Sequence, residues 1–590
     1  MKIKNIYLTL LATIVMLSSC GAVEKTEEKE KVQNRIATGT VLNHGKEVPI
    51  KYGGLFRMNE SSSFKTLFPH NVGDVVSVHI ASQIYEGLVK FNSKTLEVEP
   101  CIAKSFTPNE DASVWTFKLN ENVFFHDDDC FEGGKGRQVK ATDIKYCLDM
   151  LGTAYPQNTN FYVLQNKVLG VNEHYKATGE GDKVDGGVKG IKVIDDFTIE
   201  ISLYNSLSFF PKLMAHNSCW IFPKEAFEKY GEEMRTHTVG TGPFLVQAIK
   251  EGNQVRLKRN PNYWRKDKFG NQLPYLDLVK ITFTKDKKSE LSNFKKDNLD
   301  MIAKLPVDEM EAVLVGLDEA VKGNNTPFDY QQTSALEILN YDFSHNKEVF
   351  KDVRVRKAFC YAINRQSIIQ YTLRGEGEPA VHGIVPNFSN YDNSVIKGFT
   401  YNPEKARKLL AEAGYPNGEN FPKVTLTLSE GGGRNSRIAE EVYSMLKKNL
   451  GIHIDVDIIP FTTILEKMNG GSLTFYRRGW VADYPDASTF LEMYYGKSVP
   501  KDSLEPSMIN TSRYQNPEFD AIFEKAMKAP DEEKRMKFYQ QCEQILIDDA
   551  ATLPIFYSDY VRLVKSNVIG FPINSMDYRD LSIVFLSSKK

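Results

Sequence analysis

Arg477-Arg478-Gly479-Trp480-Val481-Ala482-Asp483 sets two guanidiniums, an indole and a carboxylate within seven positions, and Tyr484-Pro485-Asp486 follows. This is the chain's densest cluster of recognition-type residues, and its chemistry is ionic and hydrogen-bonded contact rather than bond-making. Gly479 and Pro485 hold the backbone out of helix. The plain alternative is an amphipathic strand running into a capped loop, with Trp480 in the core and the charges in solvent.

Groupings that break or make bonds do not stand beside it. The ten histidines are scattered without an HExxH or paired-His spacing. No GxSxG elbow or GxxxxGK[ST] phosphate loop occurs. Gly240-Thr241-Gly242 runs straight into Pro243 and reads as a turn, not a dinucleotide loop. Gly431-Gly432-Gly433 before a helix is either an anion-binding nest or, with no phosphate signature after it, a permissive strand-to-helix turn. His126-Asp127-Asp128-Asp129-Cys130 offers metal-ligand types. The Gly133-Gly134-Lys135-Gly136 beyond it equally marks a solvated hairpin. No catalytic centre, cofactor or metal site is therefore expected.

The N-terminus says where the protein works. Lys2 and Lys4 precede an apolar run, Ile6 to Leu17, about half the roughly 20 residues a membrane-spanning helix needs, so it reads as a signal segment. Leu17-Ser18-Ser19-Cys20 resembles the lipobox of bacterial lipoproteins, which implies cleavage before Cys20 and lipidation there. The ordinary alternative is a secretory peptide that happens to contain a cysteine. Residues 21–51, rich in Glu and Lys, are expected to form a flexible tether, with ordered structure beginning near Tyr52.

The composition of the 590-residue chain is that of a multi-domain globular protein, 41% hydrophobic and 25% charged. A balance of 74 basic and 76 acidic residues argues against nucleic acid as a partner. Of seven cysteines none forms a CxxC pair. Cys101, Cys130, Cys147, Cys219, Cys360 and Cys542 mostly sit in apolar contexts, so buried thiols are the default, although export permits disulfides.

Strand and helix signals alternate through the body. Val114–Leu119 and Phe197–Leu203 alternate apolar and polar positions as half-buried strands do. Pro403 to Ala413 reads as a helix with Asn402 as N-cap and Gly414 as stop. Ser436 to Leu450 reads as a second helix, leading through Gly451 into the strand Ile452–Ile459. The class is α/β without internal repeats.

Over most of its length the chain resembles the dipeptide/oligopeptide-binding proteins of ABC importers, extracellular solute-binding protein family 5. Lys140-Ala141-Thr142-Asp143-Ile144, Gly240-Thr241-Gly242-Pro243-Phe244 and Arg259-Asn260-Pro261-Asn262-Tyr263-Trp264 carry the likeness. Phe350–Phe359 and Tyr401–Ala406 continue it in the family's order. The resemblance implies a two-lobed type II periplasmic-binding-protein fold of the large cluster-C form with an extra inserted domain. Lobe I would comprise residues 52–85, 216–330 and 554–590, the inserted domain 86–215, and lobe II 331–553.

The same resemblance places Gly479-Trp480-x-x-Asp483 in the cleft between lobes. Asp483 would meet the ligand's N-terminal ammonium and Arg477 the carboxylate of a short peptide. An ammonium needs an acceptor-only partner, and a planar guanidinium fits a carboxylate at two points. The backbones of Gly479 and Val481 would add strand-like hydrogen bonds. Near the N-terminus Gly73 replaces a ligand-side glutamate of oligopeptide binders, Asp74 stands beside it, and Val75 matches a backbone-contacting neighbour.

The implied partners are a peptide, an ABC permease and, through Cys20, a membrane facing the periplasm or cell exterior; a monomer is expected. Rivals are a binder of a nickel complex, haem or oligosaccharide on the same fold, a secreted hydrolase, and a surface or sensory protein without a transporter.

Overall fold

The computed structural model describes residues 35–588 apart from 306–312, 314, 317, 319–326, 389, 431, 432, 503 and 504. Cys20, the signal segment, the tether through residue 34, Gly431 and Gly432 lie outside the described residues.

The expected tether over 21–51 is corrected by its second half. Strands β1 (Thr40–Asn43) and β2 (Lys46–Pro49) form an antiparallel hairpin. His44 and Gly45 at its tip have φ of 48° and 75°, the positive values a two-residue hairpin turn needs. Val41, Val48 and Ile50 pack against Tyr263, Leu273, Tyr275, Ile569 and Phe585. A short apolar alternation inside a polar stretch suffices once the body supplies a surface for it.

In the first half, β3 (Leu55–Glu60) leads to the helix α1 (Val75–Ala81). Strands β4 (Ala103–Pro108), β5 (Val114–Leu119), β6 (Ile191–Asp195) and β7 (Thr198–Ser202) form an antiparallel sheet in the order β4-β5-β7-β6. Trp115, Phe117 and Leu119 of β5 are buried and Lys118 is exposed, as the sequence alternation requires. Strands β8 (Phe244–Lys250), β9 (Gln254–Arg259) and β10 (Leu278–Phe283) continue the chain, and β3 adds parallel to β10. One continuous apolar core joins Phe56 and Met58 of the second sheet to Phe117 and Ile199 of the first.

Two of the recognised motifs, 240–244 and 259–264, meet at one buried carboxylate in this half. Glu86 accepts from Tyr263 Oη at 2.7 Å, Trp264 Nε1 at 2.9 Å and Thr241 Oγ1 at 2.9 Å. Asn260 Nδ2 donates to the Gly242 carbonyl at 3.2 Å. These bonds tie the frame of this half together. Likewise His126 is buried and its Nε2 lies 2.9 Å from the Gly242 carbonyl oxygen.

The second half is organised by a seven-stranded sheet in which segments 301–303, 552–565, 328–343, 475–481, 424–429 and 454–459 lie side by side in that order, with Glu378–Pro379 pairing the 552–565 strand. Its members are β11 (Met301–Ala303), β12 (Phe328–Phe343), β13 (Val424–Ser429), β14 (Ile454–Ile459), β15 (Phe475–Val481) and β16 (Thr552–Lys565). The helix over Pro403–Glu412 begins with the Asn402 side chain accepting the Lys405 N–H at 2.9 Å and is followed by Gly414 at φ 99°. The helix α2 (Gly433–Leu450) starts three residues before the expected Ser436, and β14 starts at Ile454 instead of Ile452. Among the described residues Cys101, Cys147, Cys219, Cys360 and Cys542 are buried free thiols and Cys130 is half-buried and free.

Candidate ligand-binding site

β15 carries the cluster. It pairs antiparallel with β12 from Phe475↔Phe343 to Val481↔Glu337. On its other side β13 meets it, among the described residues, only at Phe475 and Tyr476. From Arg477 onward that edge is open, and Gly479 is exposed. The Ala482 N–H donates to the Leu336 carbonyl at 2.9 Å, continuing the ladder in which Trp480 faces Ile338. By the alternation of an antiparallel ladder, the N–H and C=O groups of Gly479 and Val481 point away from β12, toward the open edge.

Asp483 stands just past the strand. Tyr162 Oη donates to its carboxylate at 3.3 Å, and its own N–H donates to Thr489 Oγ1 at 3.3 Å. No Lys, Arg or His among the described residues comes within ion-pair distance of it. Burial pushes its carboxyl up to about 7, against the Tyr162 hydrogen bond; nearby Glu492 adds to the rise and Lys167 opposes it. The niche at the carboxylate is further walled by Val163, Leu213, Trp480 and Tyr484. A cavity of about 680 Å³ opens beyond Tyr162 and Lys167, lined also by Tyr495, Lys497 and Phe523.

The two arginines have opposite fates because successive strand residues face opposite sides. Arg478 is buried and paired: its Nη1 lies 3.1 Å from Asp342 and 2.9 Å from Thr511 Oγ1, and its Nη2 donates to the Ile509 carbonyl at 2.8 Å. Arg477 has no hydrogen bond or ion pair among the described residues, and its Nε is buried without a partner. Burial lowers its pKa, with Tyr341 and the Glu337 carboxylate opposing the fall and Arg434 adding to it. Its Nη2 lies 3.5 Å from where a Cβ of residue 479 would stand, an ordinary contact distance. Trp480 donates Nε1 to Thr489 Oγ1 at 3.2 Å.

A half-buried carboxylate without a cation and a half-buried guanidinium without a hydrogen bond thus flank an open strand edge. Residues 97–502, well over half the chain, match the family model described as bacterial extracellular solute-binding proteins, family 5 Middle. The chain belongs to that family.

This family-5 protein is 28% identical over 544 residues to the periplasmic oligopeptide-binding protein OppA of Escherichia coli K12, covering 89% of this chain and 92% of that one. It is 25% identical over 519 residues to the glutathione-binding protein GsiB of Escherichia coli O1:K1, covering 86% and 90%. Among solved structures it resembles the periplasmic binding protein DppA of Helicobacter pylori in complex with the peptide STSA. There the TM-score is 0.76 at 22% identity, over 91% of this chain and 99% of that one. The fold is the type II periplasmic-binding-protein fold. No helix among the described residues of the family-5 protein is long and apolar enough to cross a membrane.

The other residues singled out in the sequence lie at the start of α1. Asp74 is the N-cap of α1; it accepts from the Ser77 N–H at 3.0 Å and the Ser77 hydroxyl at 2.6 Å. Val75 follows it, 45% exposed. No hydrogen bond among the described residues ties either to the β15 cluster. Sequence reasoning missed Tyr162, Lys167 and Glu492. Lys167 Nζ donates to the Tyr162 carbonyl at 3.1 Å and to Glu492 at 3.2 Å. Lys212 Nζ reaches the Pro485 carbonyl at 3.0 Å, and Arg535 Nη1 reaches Ser208 Oγ at 2.6 Å. The two halves of the family-5 protein therefore meet over Asp483. Tyr162 lies 321 positions from Asp483, so no local pattern marks it.

Proposed function

We propose that this protein is an extracytoplasmic, lipid-anchored, monomeric binding protein that captures peptides along the open edge of β15 and hands them to an ABC importer permease. It performs no covalent chemistry. The observation that carries the reading is a half-buried carboxylate without a cation, Asp483, and a half-buried guanidinium without a hydrogen bond, Arg477, at the two ends of a strand edge whose backbone groups are free to pair. A zwitterionic chain satisfies all three features together: its ammonium meets Asp483, its backbone meets Gly479 and Val481, and a carboxylate meets Arg477. That OppA and GsiB are named for oligopeptide and glutathione binding supports a peptide-class ligand.

Lobe I (52–85, 216–330, 554–590) with its insertion (86–215) would close on lobe II (331–553) about the long strands β12 and β16. The register irregularities of β12 between Ser334 and Ile338 and at Leu339/Asn340 are natural bending points. Cys20 would carry the lipid that holds the protein at the membrane. Mass spectrometry of small molecules released on denaturing the purified protein tests the reading. Peptides are expected; a non-peptide solute at stoichiometric yield would overturn it.

A further inference from the structure

Behind the Asp483 niche lies the cavity of about 680 Å³, within the roughly 300–1,000 Å³ typical of small-molecule sites. Residues between 162 and 207 of the first half and between 492 and 528 of the second line it, so it exists only where the halves meet. Tyr162, Lys167, Glu492 and Ile509 border both the niche and the cavity, which therefore share one wall. That wall is braced by Lys167 Nζ, which donates to Glu492 at 3.2 Å and to the Tyr162 carbonyl at 3.1 Å. The other charges around the cavity are balanced too. Lys497 pairs with Glu524, which also accepts from Tyr495 Oη at 2.6 Å and has Lys528 within electrostatic reach. Glu173 accepts from Tyr204 Oη. Leu207 and Phe523, both buried, form an apolar floor with Met527. The polar groups left over are uncharged. Ser206 Oγ is buried without a partner, and the side chains of Gln165 and Asn205 make no hydrogen bond among the described residues.

A charged molecule entering this space would either leave its charge without a counter-ion or break a pair already made. An uncharged one with hydroxyls at its rim and C–H groups on its faces meets the free amides, the Ser206 hydroxyl and the apolar floor together. Sugars have that build. We infer that this cavity is a second binding site, for an uncharged sugar of mono- to disaccharide size, and that its occupancy strengthens peptide binding. A sugar touching both halves binds them together and not apart, so it draws the protein toward the arrangement that covers Asp483. A peptide bound beneath Tyr162 draws it the same way, and two ligands that favour one arrangement favour each other. The coupling rests on the peptide-binding reading above; the site itself does not.

Calorimetry would titrate maltose, cellobiose and N,N′-diacetylchitobiose into the protein with and without saturating tri-alanine, using glucosamine and glucuronate as charged controls. At least one neutral sugar should bind, the charged controls about tenfold more weakly or not at all, and that sugar should bind about fivefold or more tightly with tri-alanine present. Gln165→Ala, Asn205→Ala and Ser206→Ala each remove a group that has no partner in the protein, so all three should fold. Each should weaken the sugar by about threefold to tenfold and leave the affinity for tri-alanine alone unchanged. No binding of any neutral sugar at millimolar concentration, charged controls that bind as well, or a sugar indifferent to all three substitutions overturns the site. Displacement of the sugar by tri-alanine overturns it as well, because the sugar is then in the peptide cleft. A sugar whose affinity tri-alanine does not raise overturns the coupling. Failure of tri-alanine to bind counts against the peptide reading and the coupling, and the sugar titrations alone then decide the site.

Discussion

Replacing Asp483 by asparagine keeps the shape of the niche beneath Tyr162 and removes only the charge. A bound ammonium then loses a charge-assisted hydrogen bond, worth about 1.5–3 kcal/mol, or roughly tenfold to a hundredfold in affinity. The pH dependence gives a sharper signature. Without ligand, burial holds the Asp483 carboxyl up at about 7. An ammonium bonded to it favours the ionised form and draws that pKa down. Binding of a free-amine peptide therefore expels a proton whenever the pH is below about 7. Wild-type affinity should be highest between about pH 7 and the peptide's own α-amino pKa near 8, and fall by about tenfold per unit as the pH drops below about 7. Asp483→Asn should lack that slope, and N-acetylated peptides should bind weakly and distinguish little between the two proteins.

Stability of the unliganded protein runs the other way. A folded pKa near 7 against an ordinary 3.8 means the folded state holds the proton more tightly, so stability falls as pH rises from about 4 to about 7. At about 1.4 kcal/mol per pKa unit the loss is capped near 4 kcal/mol, and Asp483→Asn should remove it. Calorimetry between pH 5 and 8 in buffers of different ionisation enthalpy, with thermal melts of the empty protein, measures both effects. Equal affinity of wild type and variant for a free-amine peptide, or a wild-type affinity flat from pH 5 to 8, would refute the reasoning.

The two neighbouring arginines should separate cleanly in denaturant unfolding. Arg478→Met strands the buried Asp342 carboxylate and should cost about 3–5 kcal/mol. Arg477→Met strands nothing and should leave the empty protein as stable as before or more so, while weakening short peptides more than long ones. Scattering should show a smaller radius of gyration with a bound ligand than without; no change at demonstrated saturation would count against closure. Cys20→Ser should abolish labelling by a fatty-acid precursor, and persistent labelling would defeat lipid attachment there.

The sequence by itself determined what local sterics and periodic burial decide. The alternation in Val114–Leu119 specified a half-buried strand, and Asn402-Pro403 with Gly414 specified the limits of a helix, because each signal acts within a few residues. The ordered motifs were legible for a related reason: Thr241, Tyr263 and Trp264 are chemically distinctive because all three serve the Glu86 carboxylate. The recognition cluster was visible as composition. Its meaning was not, since Arg477 and Arg478 are adjacent and identical in type. Only the pairing of β15 with β12 decides which one finds Asp342 and which is left for a ligand. The hairpin at 40–49 needed a surface built from residues beyond 260, and Asp74, chemically suited to a ligand, is taken up by capping α1. Asp483 acquires its raised pKa from burial where the two halves of the chain meet, against the hydrogen bond from Tyr162. Burial and partnership are properties of what the rest of the molecule brings near a residue, so tertiary structure alone could decide them.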